Sequence, residues 1–208
     1  MSPSDTPDAG AMPSARIATT RRARARAFIA TSADGFIARE DGAIDWLERA
    51  HAGAPAGEDF GYRAFFDSVD ALVMGRHSFE LVRGFEPWPY GDKPLVVLTR
   101  QGVEVPPALR ERVSTSAEAP RALLERLGAT GLRSVYVDGG LTVQSFLREG
   151  LVDELIVTTV PVLIGRGRPL FGPLLSDAAL VLVDSRAYPG GCVQNRWRVR
   201  PSGTRERD

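Results

Sequence analysis

The sequence predicts an α/β fold: a mixed, mainly parallel central sheet flanked by helices and closed by a C-terminal antiparallel hairpin. Three observations predict it. Apolar runs of four residues stand between turn signals at 71–74 and at Leu95–Leu98, and unbroken apolar runs are typical of strands buried on both faces of a parallel sheet. These runs alternate with stretches whose apolar residues recur at helical spacing, the βα order of a sheet covered by helices. The last run, 192–200, behaves differently. Val193, Asn195, Trp197 and Val199 face one way, and Gln194, Arg196, Arg198 and Arg200 the other. That period of two marks an antiparallel strand with one wet face.

In chain order, Phe28-Ile29-Ala30-Thr31-Ser32 is a strand closed by the Asp34-Gly35 turn, and Phe36-Ile37-Ala38 is its return. Residues 58–68 carry Phe60, Ala64 and Phe65 at a spacing that suits a helix. After the strands at 71–74 and Leu95–Leu98, Ser116 is placed to cap a helix running to about Leu127, with Gly128 as its stop. Val135-Tyr136-Val137 is the next strand, and Gly139-Gly140 leads into a helix over 141–148 that Gly150 ends. Residues 155–160 form another strand, and the runs at 179–183 and 192–200 flank the Pro189-Gly190-Gly191 turn. Residues 39–57 and 162–176 read as loops, and long loops on such a scaffold are where ligands are held.

Composition narrows the function classes. A formal net charge of +0 over 208 residues leaves no long-range field to gather nucleic acid or an anionic membrane. Cys192 is the single cysteine, and His51 and His77 are the only histidines, so no internal disulfide forms and no metal is expected. No apolar run reaches the length of a membrane span, and the first residues lack the apolar stretch of a secretory signal. The expected compartment is the cytoplasm. Residues 1–25 read as a disordered basic tail ahead of one domain at 26–201. Ser, Pro, Ala and Gly dominate 1–15, and Arg16, Arg21, Arg22, Arg24 and Arg26 follow with no acidic residue among them. The tail has no aromatic residue to stack on bases, and neither nucleic acid nor membrane is an expected partner.

Three strand ends carry the chemistry. In Val73-Met74-Gly75-Arg76-His77-Ser78 a buried strand ends at a glycine, a guanidinium and an imidazole project from the turn, and Ser78 is placed to cap the next helix. Such a turn suits an anion, although a solvated βα turn reads the same in isolation. The strand Leu95–Leu98 ends in Thr99-Arg100, a second hydroxyl and guanidinium, and ligands of open α/β sheets lie beyond the carboxyl ends of strands. In Asp138-Gly139-Gly140 paired glycines stand where a strand meets a helix. They allow a sharp turn and the close approach of a diphosphate. The spacing is not the three-glycine dinucleotide fingerprint.

These pieces, in this order, resemble the dihydrofolate reductase superfamily, and in particular its riboflavin-biosynthesis reductase branch. The resemblance runs from about Arg26 to Arg200. It rests on Ala33-Asp34-Gly35-Phe36-Ile37-Ala38, Asp70-Ala71-Leu72-Val73-Met74-Gly75-Arg76, Val97-Leu98-Thr99-Arg100, and Asp138-Gly139-Gly140. Leu151-Val152-Asp153-Glu154-Leu155, continuing to Pro161, Gly165 and Pro169-Leu170-Phe171, is the most specific block. The resemblance implies that NADPH is the cofactor. Gly75, Arg76, His77 and Ser78 would meet its 2′-phosphate and diphosphate, joined by Leu98, Thr99 and Arg100. Gly139 and Gly140, commonly with a non-proline cis peptide, would lie against the diphosphate and nicotinamide, and Leu141, Thr142 and Val143 would continue that contact.

On the substrate side the resemblance places the Asp34-Gly35 turn beside the nicotinamide and makes Trp46 and Asp59 candidates to meet the substrate. Asp34, Asp59 and Asp138 are the candidate catalytic acids. Asp59 would stand on the first helix, with Glu58 and Asp67 as rivals, and Asp138 occupies a position where the branch usually has Glu. Taken alone, Asp59 reads as a solvated charge, Trp46 as a packing residue and Cys192 as a small buried hydrophobe. The implied activity is hydride transfer from NADPH to a C=N bond of a pterin-like or ribosylaminopyrimidine-like substrate. The reaction it resembles most is that of 5-amino-6-(5-phosphoribosylamino)uracil reductase. Dihydrofolate reductase-type activity and a catalytically silent nucleotide-binding domain are the alternatives. A homodimer is expected, with the C-terminal hairpin and Trp197 as its edge.

Overall fold

The computed structural model describes residues 21–51 and 53–200. The expected tail over 1–20 and the expected domain end at 201 lie outside the described residues. An eight-stranded sheet runs in the order β5-β4-β3-β6-β1-β7-β10-β9. Its strands are β1 (Arg24–Ser32), β3 (Ala71–Gly75), β4 (Leu95–Leu98), β5 (Val113–Ser116), β6 (Ser134–Asp138), β7 (Val152–Val160), β9 (Leu180–Ala187) and β10 (Val193–Val199). Six are mutually parallel; β10 closes on β7 antiparallel, and β9 pairs antiparallel with β10 at the edge. A short antiparallel ribbon pairs β2 (Phe36–Ala38) with β8 (Arg168–Pro169). The predicted mixed sheet and closing hairpin are therefore both present.

Alternation along each strand assigns its neighbours. Ala71 and Val73 of β3 join one core with Ala25, Ala27 and Ile29 of β1. Over that core lie α3 (Pro120–Ala129) and α4 (Gly140–Arg148). Leu72 and Met74 point to the opposite face, under α1 (Tyr62–Asp67) and α2 (Arg76–Val82). Each fully buried Leu or Phe on these faces contributes about 1.5–3 kcal/mol. The alanines of β1 are small because α3 comes close: the Ala23 N–H donates to the Leu124 carbonyl at 2.9 Å.

Several expected boundaries move. β1 begins at Arg24 rather than 28, and arginines assigned to a basic tail are paired across the sheet. Arg22 makes a two-pronged bond to Asp153 at 2.8 and 3.0 Å. Arg26 bonds Glu154 at 2.6 Å, and Arg196 reaches the same carboxylate. Residues far apart in sequence supply the acids, so no local pattern shows the pairing. Ser116 ends β5 instead of capping α3; its hydroxyl accepts the Glu118 N–H at 3.1 Å. Gly128 lies inside α3 rather than stopping it, and its lack of a side chain lets the chain at Arg21 pass close by, where a Cβ would overlap the Arg21 carbonyl. The loop over 39–57 contains a 3-10 segment, Asp45–His51.

Candidate active site

The strand ends converge as the register requires. Gly75 lies opposite Leu98, and Met74 opposite Asp138, so the ends of β3, β4 and β6 reach one level. β6 is inserted between β3 and β1, and at such a switch in strand order the flanking helices splay to leave a crevice beyond the carboxyl ends. Here it is a cleft of about 1070 Å³, above the range of about 300–1,000 Å³ usual for one ligand.

One wall carries the polar groups. Arg76, His77 and Ser78 from α2 face Thr99 and Arg100 beyond β4, with Gly75 and Leu98 between them. The Arg76 guanidinium bonds Glu80 at 3.1 Å and lies 3.3 Å from the His77 ring. α2 begins at Arg76 with Gly75 as its N-cap, so Ser78 lies within the helix and does not cap it. Leu81 and Phe85 extend this wall and remain 50% and 45% exposed; they offer a flat apolar face beside the cations.

The floor is the junction of β6 with α4. Gly139 has φ +86° and caps α4 without a side-chain bond. A Cβ on Gly139 would collide with Ser78 Oγ, and one on Gly75 would stand 2.9 Å from Thr142 Oγ1. The two strand-to-helix junctions thus pack directly on each other, and glycine is required for that contact as well as for access. Gly140 is close to the β2–β8 ribbon: its Cβ would lie 2.7 Å from Ile37 Cδ1 and 3.2 Å from the Pro169 carbonyl. The bond between Gly139 and Gly140 is trans, contrary to the expectation from the resemblance; Glu86–Pro87 is cis. Leu141 and Thr142 line the cleft, whereas Val143 is fully buried in the core.

Asp138 is the one candidate acid that lines the cleft. Its Oδ1 accepts the Gly139 N–H at 2.8 Å and lies 3.3 Å from the Tyr136 hydroxyl, which also reaches the Phe28 carbonyl at 2.9 Å. Burial holds the Asp138 carboxyl above the usual carboxylate range. Burial, reinforced by the charge of Asp138, pushes the Tyr136 phenol far up and that of Tyr62 up to about 12. The arrangement is a half-enclosed carboxyl that holds its proton to higher pH than an exposed one.

The other acids lie elsewhere. Asp34 accepts the N–H groups of Ile164 and Gly165 at 3.2 and 2.7 Å, pinning its turn to the loop after β7. The Ser32 hydroxyl, followed by these donors, holds its carboxyl below the usual range. Asp59 is exposed and precedes α1 rather than standing on it. It accepts the N–H groups of Gly61 and Arg63 at 2.8 and 2.9 Å, which lower its pKa. Gly35 is the turn glycine, φ +85°, and its carbonyl accepts the Leu170 N–H. Trp46 is 2% exposed and packs with Phe60, Val160, Tyr188 and Cys192; its indole N–H finds no partner among the described residues. Neither Asp34, Gly35, Trp46 nor Asp59 lines the cleft.

The remaining wall is one that local sequence patterns did not single out. Phe28 and Ala30 of β1, Ile37 and Ala38 of β2, and Ile44 and Leu47 beyond it form an apolar surface ending at Arg168 and Pro169. The only signal was alternation along β1, which turns Phe28 and Ala30 away from the face holding Ala27 and Ile29.

Comparison with known proteins agrees with this architecture. The model of the RibD C-terminal domain matches residues 25–194. The Bacillus subtilis protein YwjB is 36% identical over 170 residues, covering 80% of this chain and 92% of that protein. YyaP of the same organism is 27% identical over 175 residues. Among solved structures, a putative riboflavin biosynthesis protein from Shewanella sp. PV-4 is 37% identical with a TM-score of 0.78, covering 85% of this chain and 99% of its own. A deaminase/5-amino-6-(5-phosphoribosylamino)uracil reductase from Thermotoga maritima shares the fold at 16% identity and a TM-score of 0.67. This chain spans 57% of it.

Proposed function

This chain belongs to the RibD C-terminal domain family, and on that premise we propose that it is a cytoplasmic, homodimeric, NADPH-dependent oxidoreductase. Its reaction is reduction of a C=N bond in a ribosylaminopyrimidine- or pterin-like substrate, of the type catalysed by 5-amino-6-(5-phosphoribosylamino)uracil reductase. The observation that carries the reading is the meeting, in one cleft, of two guanidinium-bearing strand ends, a glycine floor and a half-buried acid. The residues fit the cofactor: Arg76, Arg100, Ser78 and Thr99 suit its phosphates, and the floor at Gly139 leaves backbone rather than side chain facing it. When bound, NADPH supplies the hydride.

The chain itself orients, excludes water and handles one proton. Phe28, Ile37 and Leu47 form an apolar wall for a flat ring. Asp138, whose carboxyl burial holds above the usual range, is the acid of the cleft that would give a proton to the substrate nitrogen as the adjacent carbon is reduced. The raised Tyr136 phenol, bonded to the Phe28 carbonyl, stays neutral and fixes the acid in place. The test is a fluorescence titration with NADPH and NADH followed by turnover with 5-amino-6-(5-phosphoribosylamino)uracil and with dihydrofolate. Failure to bind NADPH rejects the reading, and tight binding without turnover favours a silent nucleotide-binding domain.

A further inference from the structure

We propose that Asp34 is a positioning residue for the acceptor side of the cleft: its carboxylate fixes the limb that runs from β7 into β8, and so sets where the β2–β8 ribbon stands. The proposal rests on the reductase reading above and names a residue that serves that site without lining it.

An Asp-Gly turn ordinarily spends its carboxylate on its own backbone, on an N–H two residues further on. Here Ser32 takes that task. Its Oγ accepts the Phe36 N–H at 3.0 Å, and its carbonyl accepts the Gly35 N–H at 2.9 Å. The exposed Asp34 carboxylate is left to reach across the fold. It accepts the N–H groups of Ile164 and Gly165, 130 and 131 positions away, at 3.2 and 2.7 Å. Hydrogen bonds to a carboxylate are about twice as strong as neutral ones. Two successive donors on one acid fix the orientation of the limb as well as its place.

That limb carries the mouth of the cleft. Just beyond Gly165, Arg168 and Pro169 pair with Ala38 and Phe36 and, together with Ile37, line the cleft. The Leu170 N–H donates to the Gly35 carbonyl at 3.0 Å, so the Asp34-Gly35 turn grips the limb on both sides of β8. Packing within the ribbon is tight: a Cβ on Gly167 would overlap the Ala38 carbonyl. A ribbon packed so closely shifts as one piece when its limb loses an anchor, and a misplacement of about 1 Å can cost about a hundred-fold in rate. The wall bearing Arg76, His77 and Arg100 belongs instead to α2 and the end of β4. Acceptor and cofactor therefore respond differently to loss of the anchor.

The test compares Asp34→Ala with Asp34→Asn, which keeps one acceptor oxygen, in the full chain. Turnover of 5-amino-6-(5-phosphoribosylamino)uracil with NADPH, NADP+ affinity and amide hydrogen exchange are measured for both variants. Asp34→Ala is expected to raise the acceptor KM at least ten-fold, with kcat and NADP+ affinity within about three-fold of the parent and an unchanged pH profile. The Gly165 and Leu170 amides should exchange at least ten-fold faster, while those of Val73 and Val137 in the central strands keep their rates. Asp34→Asn should recover KM and exchange to within about three-fold. Unchanged exchange at Gly165 and Leu170, or a loosened limb with an unchanged KM, would overturn the proposal. So would faster exchange throughout the sheet, which would make Asp34 a support of overall stability. A hundred-fold loss of kcat in both variants, with loss of one limb of the pH profile, would make it a catalytic acid instead. A parent chain that neither binds NADP+ nor turns over rejects the reductase reading, and local exchange alone then decides whether Asp34 positions the ribbon.

Discussion

At the scale of single residues, two side chains carry the proposed chemistry, and each makes a measurable prediction. Arg76 is one-third exposed and shared with Glu80, so it is free to turn toward a 2′-phosphate. Arg76→Ala should weaken NADPH by about 1.5–3 kcal/mol, the worth of a hydrogen bond to a charged group, and leave NADH nearly unchanged. Equal losses in parallel titrations would show that Arg76 does not read the 2′-phosphate. Asp138 makes a prediction about pH. Its folded pKa is raised by burial, so its favourable contribution is complete below the unfolded pKa and is lost as pH rises through the folded value. Asp138→Asn should therefore melt at a higher temperature than the parent chain near neutral pH. The gap should close on acidification toward about pH 4, the unfolded value for aspartate. Melting curves that differ by the same amount at all pH values would show that the carboxyl is not held protonated. Loss of turnover in the same variant, with NADPH affinity kept, would place the acid in the chemistry.

At the scale of elements, the junction between β6 and α4 is held by contacts on two sides. Gly140 faces Ile37 and the Pro169 carbonyl of the β2–β8 ribbon, not open space in the cleft. Gly140→Ala should thus cost about 1–3 kcal/mol by overpacking. It should also shift the ribbon and, with it, the apolar wall. Urea unfolding checks the first expectation. Cofactor and acceptor titrations separate the second, since a displaced ribbon weakens the acceptor ring more than NADPH. An Ala variant as stable as the parent would mean that Ile37 moves aside without consequence. Gly139 is more demanding, because its φ of +86° and its contact with Ser78 both exclude a side chain. The element boundaries that moved share one cause. β1 starts early and Gly128 sits within α3 because strand and helix approach closely, and that proximity has no signature in local composition.

At the scale of the whole molecule, the sheet ends in a strand with little cover. Leu180, Leu182 and Val183 of β9, with Val193 of β10, are 43%, 57%, 47% and 39% exposed. β9 is the edge of the sheet, and exposed apolar edges invite pairing. A homodimer through this edge is expected to give a light-scattering mass twice the 22.5 kDa of one chain, and Leu182→Glu should reduce it to the single-chain mass without unfolding. A parent chain already at 22.5 kDa would reject the dimer. Among the described residues no helix is long and apolar enough to cross a membrane, and the arginines at 22 and 26 are paired within the sheet rather than held out for a polyanion.

The sequence by itself determined most of the order of strands and helices, though not β5 or β8, together with the mixed sheet, its closing hairpin and the three strand ends at Gly75, Thr99 and Gly139. These are legible because hydrophobic period and turn residues act over neighbouring positions. It also placed Asp138 at one of those ends. Only the tertiary structure decided which acid faces the cleft. Asp34, Asp59 and Asp138 look alike in sequence, yet two are spent on nearby backbone N–H groups and one is enclosed where three strands end. It likewise placed Trp46 in the core and assembled the apolar wall from Phe28, Ile37 and Leu47. Such assignments depend on which distant segments exclude water from a given side chain. That exclusion is set by packing across the sheet, not by spacing along the chain.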